Sequence, residues 1–143
     1  EYANHWIIIR GVAFVAGVPE NELPYTKINH VPNQPDNPSP ANGETNVDIN
    51  PTLRWQSSDP DGDTLTYDVY FGTTTNPPLV ASDLPVASYN PGTLEYGTTY
   101  YWKVVAKDAY GGIAVSSLWH FTTQSEPSIP SPPKPPGGGD NLQ

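Results

Sequence analysis

Asp59, Asp61 and Asp63 alternate in the run Asp-Pro-Asp-Gly-Asp. Ionised carboxylates repel one another at such close spacing, and each offers hard oxygen donors. Gly62 lets the chain turn sharply enough to bring the three together. The chemistry this predicts is coordination of a hard, oxygen-seeking cation, Ca²⁺. It is not an EF-hand: a twelve-residue loop starting at Asp59 ends on Tyr70, where a bidentate glutamate is required. The competing expectation is a plain turn, because Asp-Pro and Asp-Gly are good turn formers. Asp108 opens a second turn, Asp-Ala-Tyr-Gly-Gly, and is the candidate fourth ligand if the two loops share one end of the fold.

Catalytic constellations are otherwise poorly supplied. There is no Gly-x-Ser-x-Gly elbow, no His-Glu-x-x-His pair and no glycine-rich phosphate loop. His5, His30 and His120 are far apart, and His120 falls on the outward face of a strand between Trp119 and Phe121. Two carboxylates can serve a glycosidase, but nothing here predicts a deep cleft between them. The expectation is a chain that is not an enzyme.

The elements that would hold the acidic loops read as short strands. Tyr100, Trp102, Val104 and Ala106 alternate with Tyr101, Lys103, Val105 and Lys107, which is a strand with one face on a core. Leu65, Tyr67, Val69 and Phe71 alternate in the same way, and Leu53 and Trp55 form a shorter inward pair. Further strands are expected at residues 45–49, 79–81, 86–89 and 113–123. Turn residues separate them every eight to twelve positions, which predicts an all-β antiparallel sandwich of about seven strands. Residues 35–40, Pro-Asp-Asn-Pro-Ser-Pro, read as the boundary before it.

Leu94, Gly97, Thr98, Tyr100 and Val104 form a Leu-x-x-Gly-Thr-x-Tyr-x-x-x-Val pattern that resembles the penultimate strand of fibronectin type III domains. Trp55 resembles their second-strand tryptophan, and Tyr100 after a glycine turn resembles the tyrosine corner of immunoglobulin-like sandwiches. The resemblance covers residues 36–124 and implies an immunoglobulin-like, fibronectin type III-like sandwich. The Asp-Pro-Asp-Gly-Asp loop is similar to loops of calcium-binding bacterial immunoglobulin-like and cadherin-like modules.

Both flanks differ from the sandwich in composition, which divides the chain into 1–34, 35–124 and 125–143. Residues 6–18, Trp-Ile-Ile-Ile-Arg-Gly-Val-Ala-Phe-Val-Ala-Gly-Val, are the most apolar run. The run lacks a basic start for a signal peptide and is shorter than the ~20 apolar residues of a membrane span. Gly11, Gly17 and many β-branched side chains disfavour a helix. The expectation is a single extended strand of ~43 Å, with Trp6, Ile8, Val12 and Phe14 on one face and apolar residues on the other. Residues 125–143 are Pro-rich and then Gly-rich, so polyproline II followed by a flexible end is expected. Ser128, Ser131, Pro132 and Pro133 are candidate sites for O-linked glycan. Both Asn-x-Ser/Thr sequons are blocked by proline.

The 143 residues carry a net charge of −9, so a nucleic-acid partner is not expected. The sequence has no methionine, which suggests a mature chain whose leader was removed. Cysteine is absent too, and that does not decide the compartment.

Two functions fit. A seven-strand sandwich fills its core with its own strands and cannot also cover a two-faced apolar segment. An exposed strand of that kind would aggregate. Donating it to a neighbouring copy buries it and repeats without closing, which makes a fibre. Six large side chains buried this way give on the order of 9–18 kcal/mol before association costs. The whole chain thus resembles a strand-exchanging extracellular fibril subunit, glycosylated and partnered by copies of itself. The alternative is a non-catalytic fibronectin type III-like accessory module of a larger secreted enzyme or adhesin.

Overall fold

The computed structural model of the chain describes residues 6–9, 12–15 and 28–136. In chain order the strands are β1 (Trp6–Ile9), β2 (Val12–Val15), β3 (Asp36–Ser39), β4 (Glu44–Val47), β5 (Leu53–Gln56), β6 (Thr66–Gly72), β7 (Leu79–Leu84), β8 (Ser88–Tyr89), β9 (Thr99–Lys107), β10 (Ile113–Val115) and β11 (Trp119–Thr123). No helix occurs among the described residues.

Strands β3 to β11 build a two-sheet sandwich. One sheet runs β3-β5-β8; the other runs β4-β11-β9-β6-β7, with β10 also on β9. All pairings within these sheets are antiparallel except β11 with β4. Strand β9 is the longest, and its inward residues Tyr100, Trp102, Val104 and Ala106 are all buried. They face Leu53 and Trp55 of β5 across the sandwich, with Tyr67, Val69, Phe71, Trp119 and Phe121 completing the core. Trp55 meets Tyr67 edge-on at 5.3 Å and Trp102 at 6.3 Å, which closes one sheet onto the other. The alternation in the sequence is thus the alternation of burial, and the architecture is an immunoglobulin-like, fibronectin type III-like all-β sandwich.

The tyrosine corner is present as hydrogen-bond geometry. The Glu95 amide donates to Tyr100 Oη at 3.1 Å. Thr123 Oγ1 accepts from the Thr98 amide at 2.9 Å and donates to the Glu95 carbonyl at 2.7 Å, so the last strand locks the same turn.

Three expectations are corrected. Residues 36–39 are an edge strand rather than only a boundary before the sandwich; Pro38 is tolerated because an edge strand has one unpaired side. The last strand is broken into β10 and β11. Between them Ser116 is buried; its amide donates to the Val104 carbonyl and its Oγ accepts from the Val104 amide, so one residue takes both ladder bonds. The sandwich therefore has nine strands among the described residues rather than seven.

The third correction concerns the N-terminal run. It is not one extended strand. Strands β1 and β2 pair antiparallel, Trp6 opposite Val15 and Ile9 opposite Val12. They form a sheet of their own, joined to the sandwich by no ladder among the described residues. Folding back lets the two halves satisfy each other's backbone groups, and a glycine mid-run is the residue type that most easily permits reversal. Trp6 and Ile8 therefore sit on one strand and Val12 and Phe14 on the other. The side chains of these four anchors lie outside the described residues.

Candidate functional site

The acidic run occupies the connection between β5 and β6, and its local fold follows from its side chains. Asp59 Oδ1 accepts from the Asp61 amide at 2.8 Å and from the Asp63 amide at 3.3 Å. The Gly62 amide donates to the Asp59 carbonyl at 3.1 Å, and Gly62 has a φ of +76°, a region that glycine enters without strain. The chain coils around the Asp59 carboxylate, so oxygens of Asp59, Asp61 and Asp63 lie within 4.8 Å of one another. All three residues are partly buried.

Asp108 does not join them. Its Oδ1 accepts from the amides of Tyr110 at 2.8 Å and Gly112 at 2.7 Å, closing the β9–β10 turn. Its Oδ2 accepts from Asn29 Nδ2 at 2.8 Å. Asn29 first, then the turn amides, hold its carboxyl below the usual carboxylate range despite burial. A carboxylate with this many donors serves as the hub of its own turn. The expected four-residue cluster is a three-residue cluster with Asp108 beside it.

The two loops do share one end of the sandwich, and residues 28–34 tie them together. Next to Asn29, the His30 amide donates to Asp61 Oδ2 at 2.6 Å, and His30 Nδ1 lies 3.0 Å from Asp61 Oδ1. Asn33 bonds Ser58 through its amide and its side chain, both at 2.8 Å. Gln34 Nε2 donates to the Val115 carbonyl at 2.9 Å. Pro32 and Pro35 are buried. Residues 28–34, the connector between the N-terminal run and the sandwich, are thus docked on it. No local signal assigns Asn29 and His30 to this site, because their partners lie 79 and 31 positions away.

The carboxylate triad fits a hard cation on one independent count. Asp59 Oδ2 is a buried oxygen without a hydrogen-bond partner. A buried acceptor left unsatisfied is costly, and a cation would satisfy it.

The candidate glycan sites Ser128, Ser131, Pro132 and Pro133 are all exposed and outside any strand. His120 is exposed, as its outward position predicts. Tyr70, an outward aromatic, is covered on one side by Lys103, whose Nζ lies 4.8 Å from the ring centre. No described helix is long and apolar enough to cross a membrane.

No protein-family model matches this chain, and no curated protein does. Among solved structures it is similar to a Fn3-like protein from Clostridium thermocellum, at 20% identity over 70% of this chain and 99% of the other, with a TM-score of 0.47. It is also similar to the fibronectin type-III domain of human fibronectin type III domain containing protein 3, at 21% identity over 75% of this chain and 99% of the other, with a TM-score of 0.46. The fold assignment rests on the sheets, the core and the tyrosine corner described above.

Proposed function

We propose that this chain is a non-catalytic structural subunit of an extracellular, glycosylated filament, assembled when its N-terminal apolar segment is donated to a neighbouring copy. The observation that carries the reading is the separation of the two sheet systems. The sandwich closes its core with strands β3 to β11, and among the described residues the apolar β1–β2 pair has no ladder to it. A lone two-stranded hairpin is marginal in water, so the pair gains most by packing on, or opening onto, another surface. Exposed Ser and Pro at 128–133 supply attachment points for glycan, and Ca²⁺ held by Asp59, Asp61 and Asp63 would stiffen the end where the segment is tethered.

The test is light scattering on the whole chain beside a chain lacking residues 1–18. The reading expects large assemblies from the first and a folded monomer from the second. Two monomers would overturn it.

One observation favours the second reading, an accessory module in a longer secreted protein. The chain enters the sandwich beside Asp108, after the last residue of β9, and leaves beside Gly97, just before its first. Nine residues of β9 separate these points by roughly 26–30 Å. Entry and exit at opposite ends suit modules joined in series. A native polypeptide heavier than 15.5 kDa by more than its sugar would favour this arrangement.

A further inference from the structure

The smaller sheet is interrupted on both sides of one residue pair. Strand β8 is two residues long, and its ladder to β5 ends at Arg54. Beyond it the Trp55 amide reaches the Ala87 carbonyl only at 3.4 Å. On the other side the β3–β5 register shifts between Asp36 and Ser39. The sheet is irregular beside Trp55 and Gln56, although Gln56 still pairs with Asp36, and residues 33 and 34 line the same stretch. The result is a cleft of about 670 Å³ lined by Trp55, Gln56, Asp36, Asn33, Gln34 and Ser57, among others.

Its polar groups are held in place by bonds that leave their other half free. Gln56 Oε1 accepts from Asn37 Nδ2 at 2.8 Å, which leaves the two Nε2 hydrogens. Asn33 Nδ2 and Gln34 Nε2 are spent on Ser58 and Val115, which leaves two amide oxygens as acceptors. The Asp36 carboxylate takes no hydrogen bond among the described residues. Trp55 is 4% exposed, and its Nε1 is a buried donor without a partner. Trp102 carries a similar orphan donor but lines no part of this cleft.

We propose that this cleft binds a saccharide, one or two rings of a neutral glycan. The size lies in the ordinary range for small-ligand sites, about 300–1,000 Å³. Vicinal hydroxyls donate and accept at once, and this wall offers both: Gln56 Nε2 donates, while Asn33, Gln34 and Asp36 accept. No Lys or Arg lines the cleft, and the chain's net charge is −9, so an anionic ligand is disfavoured. Because the amides are already oriented by their second bonds, little side-chain freedom is lost on binding. The site is independent of how the chain assembles.

The test is titration of the whole chain with cellobiose and, separately, with diacetylchitobiose, read by side-chain amide NMR shifts and tryptophan fluorescence. Saturable shifts of the Asn33, Gln34 and Gln56 amides are expected, with a Kd of roughly 0.1–5 mM. Gln56→Ala and Asp36→Ala change exposed side chains and leave the core intact; each should weaken binding at least about fivefold. Tyr110→Ala, exposed and outside the cleft lining, should leave binding unchanged. No saturable shift with either sugar at about 20 mM, or shifts that survive both Gln56→Ala and Asp36→Ala, overturns the proposal. So does tighter binding of a synthetic peptide spanning residues 126–136, which would make the cleft a proline-rich peptide site.

Discussion

Asn29 Nδ2 donates to Asp108 Oδ2 at 2.8 Å, across 79 positions of sequence. The bond joins a residue that precedes the first strand of the sandwich to the turn after its longest strand. Its neighbour His30 holds Asp61 in the acidic loop at 2.6 Å. Two consecutive connector residues thus grip two loops, and the loops are held at one end of the fold by this grip rather than by a shared cluster of four aspartates.

Gly112 is where that grip is tightest. A Cβ built there would overlap Asp108 Oδ2 and come within 3.1 Å of Val31 Cα. Its φ is not in the left-handed region, so the constraint is space alone. Gly112→Ala should force residues 28–32 off the turn and cost about 1–3 kcal/mol, the usual penalty for overpacking. Urea unfolding monitored by tryptophan fluorescence measures it. Gly111→Ala has open space instead but a φ of +91°, so its cost arises from backbone strain, and the connector should stay in place.

The pH dependence follows from Asp108. Its carboxyl is held below the usual range by Asn29 and by the turn amides. A group whose pKa is depressed on folding stabilises above its unfolded value, about 3.9, and loses that contribution as the pH falls through the folded value. Asp68 acts with the same sign: burial alone would raise it, but Lys107, at 2.7 Å, and the Asp83 amide lower it on balance. Asp108→Asn should therefore be less stable than the parent at pH 7. The gap should narrow below about pH 4, which melting curves at stepped pH would record. A gap of constant size down to pH 2 would mean that geometry, not charge, makes the difference.

The sandwich was legible in the sequence because burial there is decided by strict alternation. Leu53 and Trp55, then Tyr67, Val69 and Phe71, then Tyr100 to Ala106 announce their own faces. What escaped depends on partners far along the chain. Residues 36–39 look like a domain boundary because of their prolines, and only pairing with β5 makes them a strand. The break at Ser116 depends on a side-chain oxygen replacing a ladder bond from Val104. The N-terminal run is apolar on both faces, so alternation cannot tell one long strand from two that fold back. In the acidic loop the three alternate aspartates were readable. The full commitment of Asp108 was not: its bonds to the Tyr110 and Gly112 amides are local, but the bond that occupies its other oxygen comes from Asn29, 79 positions away.

The tyrosine corner gives a separable prediction. Tyr100→Phe removes only the hydroxyl that accepts from the Glu95 amide. The ring stays stacked on Phe71 at 5.0 Å, so the core is undisturbed. Losing one intramolecular hydrogen bond should cost about 0.5–1.5 kcal/mol. Trp102→Ala, in contrast, empties a fully buried site and should cost about 3–5 kcal/mol. Denaturant midpoints for the two variants should differ accordingly, with unchanged m-values.

Calcium tests the acidic loop against its plain-turn alternative. A turn needs only Asp59 Oδ1, which already serves the Asp61 and Asp63 amides. A cation site also needs Asp59 Oδ2, which is buried without a hydrogen-bond partner. If Ca²⁺ binds with a Kd near 1 mM, as in extracellular modules, about 10 mM Ca²⁺ stabilises the fold by about 1.4 kcal/mol. For a sandwich of this size that is a rise in Tm of about 5–10 °C, reversed by chelator. Asp59→Asn and Asp61→Asn should abolish the rise. Asp108→Asn should retain it from a lower starting Tm, because Asp108 spends its oxygens on Asn29, Tyr110 and Gly112. Differential scanning calorimetry of the parent and the three variants, with Ca²⁺ and with chelator, separates the outcomes. Equal Tm values for the parent in both buffers would leave Asp59 as the hub of a turn and nothing more. A response lost in Asp108→Asn but kept in Asp61→Asn would place the cation at the β9–β10 turn instead.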